Sequence, residues 1–126
     1  LKEYKKYFSI PAPPDEVYAA LTNSISMQLM TGEKAEMSDQ AGSEFSLWDG
    51  SIVGKNIEFE ENKKIVQQWY FGDDTTESIV TIKLHADKNS TSLELKHSHI
   101  PDTDFNEIVD GWNNVYMSAL IEFFDE

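Results

Sequence analysis

Two histidines two positions apart, His97 and His99, come nearest in type and spacing to doing chemistry. In an extended strand they project to one face, shared with Leu93 and Leu95, so both are expected to point inward. An imidazole pair on one face is half of a metal site, because catalytic zinc takes a third protein ligand and usually a hydrogen-bonded shell behind it. If the turn from Asp87 to Ser90 is a simple hairpin, Ala86 opposes Thr91, Leu84 opposes Leu93 and Val80 opposes His97. His85 then faces the other side, and a third ligand would have to be an Asp or Glu from a helix or a neighbouring strand. The preferred expectation is hydrogen-bonded or cavity-lining histidines, with no metal and no cofactor. A base role for His97 or His99 ranks last. No nucleophile stands at a recognisable spacing from a base, no Gly-rich phosphate loop is present, and the carboxylates gather in turns and on one helix face. No catalytic residue and no enzymatic activity are expected.

Aromatic and methionine side chains are the second group with chemical meaning. Trp48, Trp69 and Trp112, with Phe45, Phe71, Phe105, Tyr116, Met27 and Met30, make either a filled core or the adaptable apolar wall of a ligand cavity. Gln67 shares a strand face with Ile65, Trp69 and Phe71, so together with the histidines it could supply the few polar groups that orient a ligand. The cavity candidates are therefore Trp48, Gln67, Trp69, Phe71, His97, His99, Trp112 and Tyr116.

These residues need elements to hold them. Tyr4, Phe8 and Ile10 suggest a first strand over Glu3 to Ile10, ended by Pro11-Ala12-Pro13-Pro14. Pro14 suits a first helical turn, and Asp15 and Glu16 favour the positive end of the helix dipole, so a short helix runs to about Thr22. A second short helix carries Ile25, Met27, Leu29 and Met30 to Gly32. Between Ala35 and Ile100, β-branched and aromatic runs alternate with turn residues, the pattern of an antiparallel meander. Strands are expected near Ala35 to Ser38, Ser43 to Trp48, Ser51 to Glu60, Lys63 to Phe71, Glu77 to Ala86 and Ser92 to Ile100. Asp49-Gly50 is the clearest hairpin signal, and Gly72-Asp73-Asp74 marks another turn. After Pro101 the period becomes helical. Phe105, Ile108, Val109, Trp112, Val115, Tyr116, Ala119, Leu120 and Phe123 form one stripe, with Asp104 and Glu107 as a capping box at its start. Gly111 within it is read as a close approach of the helix to the sheet. The fold class is α+β: a curved antiparallel sheet of about seven strands wrapped around a long C-terminal helix, with two short helices after the first strand.

Composition narrows the partners. The 126 residues suit one domain, expected to span 1–126, and they include no cysteine, which fits a reducing, cytoplasmic setting. No stretch approaches the roughly 18 apolar residues of a membrane span. With 23 acidic residues against 10 Lys and Arg, the formal charge is −13, which repels phosphate backbones and anionic lipids. Neither nucleic acid nor membrane is an expected partner.

The runs Gly42-Ser43-Glu44-Phe45-Ser46-Leu47-Trp48-Asp49-Gly50-Ser51-Ile52-Val53-Gly54 and Lys63-Lys64-Ile65-Val66-Gln67-Gln68-Trp69-Tyr70-Phe71, with Ile100-Pro101 and Gly111-Trp112, resemble a known family. It is the C-terminal domain of the activator of heat-shock protein 90 ATPase. The resemblance covers nearly the whole chain and implies the START-like, or SRPBCC, helix-grip fold. Eukaryotic co-chaperones of that family carry a further N-terminal domain, for which these 126 residues are not expected to have room. Tyr70 stands where the family commonly has Arg, and Gly72-Asp73-Asp74 where it has a Trp-Pro turn. The resemblance implies a non-catalytic module that binds a heat-shock protein 90 homologue or another protein. The alternative it allows is a carrier or sensor of a small hydrophobic ligand held between sheet and helix.

Overall fold

A computed structural model describes residues 1–71 and 77–125. Its strands are β1 (Lys2–Ile10), β2 (Glu44–Leu47), β3 (Ile52–Glu60), β4 (Lys64–Trp69), β5 (Ser78–Asp87) and β6 (Ser90–Ile100). They form one antiparallel sheet in the order β1-β6-β5-β4-β3-β2. The last five make the meander that the turn signals imply, and β1 joins beside β6 at the far edge. Helices α1 (Pro14–Leu21) and α2 (Ser24–Thr31) therefore carry the chain from one edge of the sheet to the other. Pro14 opens α1, with Val17, Tyr18, Ala20 and Leu21 buried; Asn23 caps α2 by accepting the Ser26 N–H at 3.0 Å. The C-terminal helix comprises α3 (Phe105–Gly111), a π-helical turn (Trp112–Tyr116) and α4 (Met117–Phe124). This is the helix-grip arrangement.

The described sheet has six strands rather than about seven, because Ala35 to Ser38 contributes only one bridge, between Glu36 and Ser46. The reason is local. The Met37 N–H and C=O are both taken by the Ser24 hydroxyl, at 2.8 Å each, so the backbone turns from the sheet toward α2 after one rung. The Gly72-Asp73-Asp74 turn lies outside the described residues.

Two strand irregularities shape the interior. In β3 the register slips between Asn56 and Glu58, so Ile57 is an extra residue and points outward. In β6 the pairs Tyr4↔His97 and Lys2↔Ile100 leave Ser98 and His99 opposite Glu3 alone. Bulges of this kind add twist and reset the alternation of side chains.

Gly54 is required by proximity, since a Cβ there would lie 2.1 Å from the Gln68 carbonyl oxygen and 2.8 Å from the Phe45 ring. Gly111 is different. A Cβ there would meet nothing within 4 Å, so the expected close approach to the sheet is absent and Gly111 instead borders a cleft. The Asp104 and Glu107 capping box does not form either: Asp104 makes no side-chain cap, and a short 3-10 turn (Asp102–Asp104) begins the helix, with the Asp104 N–H bonded to Pro101 O at 2.9 Å. Val115 and Phe123, expected in the buried stripe, are exposed at 46% and 36%. The π turn widens the helix by one residue per turn and rotates Val115 outward while leaving Trp112 and Tyr116 inward.

Candidate functional site

The predicted site residues divide into three groups. His97 and Gln67 are buried in hydrogen-bond networks, His99 is on the surface, and the aromatics surround a cleft. His97 is fully buried, opposite Val80 as the hairpin register predicts. Its Nδ1 accepts the Trp112 indole N–H at 3.0 Å, and its Nε2 pairs with the Ser78 hydroxyl. An indole N–H only donates, so Nδ1 carries no proton, and the neutral ring donates from Nε2 to Ser78 Oγ. Burial among Trp69, Phe71 and Trp112 lowers the His97 pKa to about 4. With both nitrogens engaged, the ring acts as a polar strut between β5, β6 and the π turn.

His99 departs from expectation. The β6 bulge breaks the two-residue alternation, so His97 and Ile100 are buried whereas His99 is exposed, with φ at 58°. The two histidines therefore share no face and form no half of a metal site. Among the described residues, no three His, Cys, Asp or Glu side chains cluster as a metal site would require.

Gln67 lies within a second network. The Trp69 indole N–H donates to Gln67 Oε1 at 3.0 Å, Gln67 Nε2 donates to Asn56 Oδ1 at 3.0 Å, and Asn56 Nδ2 donates to Ser43 Oγ at 3.1 Å. The Ser43 hydroxyl in turn reaches Gln40 O at 2.6 Å. Gln67 and Asn56 are directly paired across β3 and β4, which explains how two amides fit in one core. Among the described residues no buried side-chain nitrogen or oxygen is left without a partner. The interior polar groups are spent on one another.

Beside these networks the space between sheet and helix is filled by aromatic rings. Trp69 and Trp112 stack at 4.8 Å with planes 25° apart, and Tyr116 lies 4.6 Å from Trp112. These three rings form the floor of a surface cleft of about 450 Å³. Trp48, Tyr70 and Phe71 wall it on the sheet side, and Ile108 and Val115 on the helix side, while Glu33, Asp104 and Glu107 place carboxylates along it. Five of the eight predicted cavity residues thus meet at the cleft, whereas Gln67 and His97 lie behind its floor and His99 lies outside it.

Two backbone irregularities converge on this cleft. The β2–β3 connection places Trp48, Asp49 and Gly50 all at positive φ, with Trp48 at 52°. A bulky residue seldom adopts that conformation. It is held by the Asp49 N–H bonded to Lys34 O at 3.0 Å and the Ser51 N–H bonded to Trp48 O at 3.1 Å. The Trp48 ring lies 5.6 Å from Tyr116. Across the cleft, the π turn contributes Trp112 and Tyr116 from adjacent turns of the helix.

Sequence reasoning missed Ser78, Asn56 and the three carboxylates. Ser78 was within reach, since it lies two residues before Val80 on the same inward face. Asn56 was hidden by the Ile57 bulge, which obscures the pairing that sets it opposite Gln67. Two of the carboxylates, Asp104 and Glu107, stand three apart and read as a helix cap, and Glu33 comes from a distant segment, so nothing in their spacing joins the three.

A family model described as Activator of Hsp90 ATPase homolog 1-like protein matches residues 11–125. The Activator of 90 kDa heat shock protein ATPase homolog of Dictyostelium discoideum is 31% identical over 114 residues, covering 88% of this chain and 30% of that protein. An uncharacterized protein of Schizosaccharomyces pombe is 34% identical over 62 residues, covering 49% of this chain and 18% of that protein. The chain thus spans under a third of the length of either relative. Among solved structures, an HSP90 activator from Plasmodium falciparum superposes with a TM-score of 0.85 at 26% identity, over 92% of this chain and 91% of that one. The Aha1 dimer from Colwellia psychrerythraea gives a TM-score of 0.84 at 18% identity, over 99% and 97% of the two chains, a likeness of fold. No helix among the described residues is long and apolar enough to cross a membrane.

Proposed function

The chain belongs to the Activator of Hsp90 ATPase homolog 1-like family, and from that premise we propose that it is a non-catalytic protein-interaction module acting on a cytoplasmic Hsp90 homologue. The observation that carries this reading is the match over residues 11–125, joined by likeness to relatives named as activators of that ATPase. Its interior supports a role through the surface. Trp69 and Trp112 fill the space where the fold could enclose a ligand, and the one buried histidine has both nitrogens engaged, so neither a deep apolar carrier site nor a histidine base is favoured.

A module of this kind works by differential binding: it shifts a partner's conformational equilibrium by as much as it prefers one state. The test is direct. The purified chain is titrated into an Hsp90 homologue from the same cell, and binding and ATP turnover are followed together. Saturable binding with a change in turnover supports the reading, and absence of both removes it.

A further inference from the structure

The cleft has a chemical character that the chaperone reading does not require. Three aromatic residues, Trp69, Trp112 and Tyr116, close its inner end with only 5%, 2% and 3% of their surface exposed, and half-exposed Trp48 and Phe71 beside them present the accessible aromatic surface. Aromatic faces carry negative electrostatic potential and attract cations within about 6 Å of the ring centre. The fully charged groups along the cleft are all of one sign: Glu33, Asp104 and Glu107, with no Lys, Arg or His among its described lining residues. The chain as a whole, at −13, adds to the same field. The volume of about 450 Å³ falls within the roughly 300–1,000 Å³ of small-molecule sites.

Strain supplies a separate argument. A positive φ at a bulky residue and a π-helical turn are both costly local choices, and both tend to occur at functional sites. Here each delivers aromatic rings to the same cleft, Trp48 from the turn and Trp112 and Tyr116 from the helix. A core that only needed filling would not require irregular backbone on both walls.

We infer that this cleft binds a small organic cation, a substituted ammonium on an apolar body, seated against the half-exposed Trp48 and Phe71 rings with its charge facing the carboxylates. Bulky alkyl or aryl substituents fill the apolar walls. The positive charge, spread over the groups attached to nitrogen, is weakly hydrated and therefore loses little on leaving water for an aromatic surface. Anions are opposed by the carboxylates, and a neutral molecule of the same size gains only the apolar contact.

The chain's three tryptophans all line the cleft, so their fluorescence reads occupancy directly. The probes are benzyltrimethylammonium, 3-phenylpropan-1-ol as a neutral control of similar size, and phenylacetate as an anionic one. At low salt the cation is expected to bind about tenfold more tightly than the alcohol, and phenylacetate to bind least. The exposed pair Glu33→Gln with Glu107→Gln leaves the core untouched and should weaken the cation about fivefold without affecting the alcohol. Raising ionic strength should do the same. Equal affinity for cation and alcohol, indifference of the cation to the double variant, or no quenching up to about 10 mM cation would each overturn the assignment. Chaperone binding by the double variant is read separately, so failure of one reading leaves the other standing.

Discussion

Acidification from pH 7 to pH 5 should destabilise the fold through His97 by an amount the structure lets us work out. In the native state burial holds its pKa at about 4, against 6.5 for the free side chain. The unfolded chain therefore takes up a proton first as pH falls, so stability present above about pH 6.5 is lost on the way down to about pH 4 and is constant below that. Linkage between these two values gives a loss of about 2 kcal/mol at pH 5, approaching about 3 kcal/mol once both states are protonated. The hydrogen bonds give the same sign. A proton on Nδ1 would set two N–H groups against each other where the Trp112 indole now donates. Carboxylates complicate the raw measurement, since relieving the repulsion of a chain at −13 favours folding as pH falls. The comparison is therefore a double difference: urea unfolding of the natural chain and of His97→Gln at both pH values. Glutamine offers an acceptor and a donor but no titration. The natural chain should lose about 2 kcal/mol more than the variant between pH 7 and pH 5. A double difference near zero, or of opposite sign, would refute the reasoning. If His97→Gln fails to fold, the imidazole nitrogen resonances of the natural chain decide, and they should show a neutral Nε2–H ring at pH 5.

Other expectations follow from single contacts. Gly54→Ala should cost more than about 4 kcal/mol or prevent folding, because its Cβ would collide with the Gln68 backbone carbonyl, which cannot yield, as well as with the Phe45 ring; urea unfolding reads this. Gln67→Leu orphans the Trp69 indole N–H and the Asn56 carbonyl, and each orphan should cost about 1–3 kcal/mol in the same assay. His99→Gly should be neutral or stabilising by up to about 1 kcal/mol, since it relieves a positive φ on an exposed residue. A measured loss of stability would show that its side chain makes a contact of consequence.

The period-two and helical patterns of the sequence carried most of the architecture, because one-sided burial fixes which residues share a face. That logic placed Val80 opposite His97 and put Trp69 and Trp112 inward, as the register and burial show. It failed wherever one residue was inserted into a regular element. The β6 bulge turned His99 outward, the β3 bulge hid the Asn56 partner of Gln67, and the π turn expelled Val115. An inserted residue leaves composition and spacing unchanged, so periodicity alone does not reveal it. The Met37 backbone, diverted by Ser24, cost a strand for a similar reason: a competing side-chain hydrogen bond is a tertiary event. The cleft was half legible. Its aromatic residues follow from the core pattern, whereas its carboxylates meet only after the end of α2 and the start of α3 are brought together.

The most direct test of the account is the steady-state ATP turnover of an Hsp90 homologue from the same cell, measured against increasing concentrations of this chain. A saturable change in turnover, at concentrations where the two proteins bind, is the predicted result. Unchanged turnover with no detectable binding would contradict it.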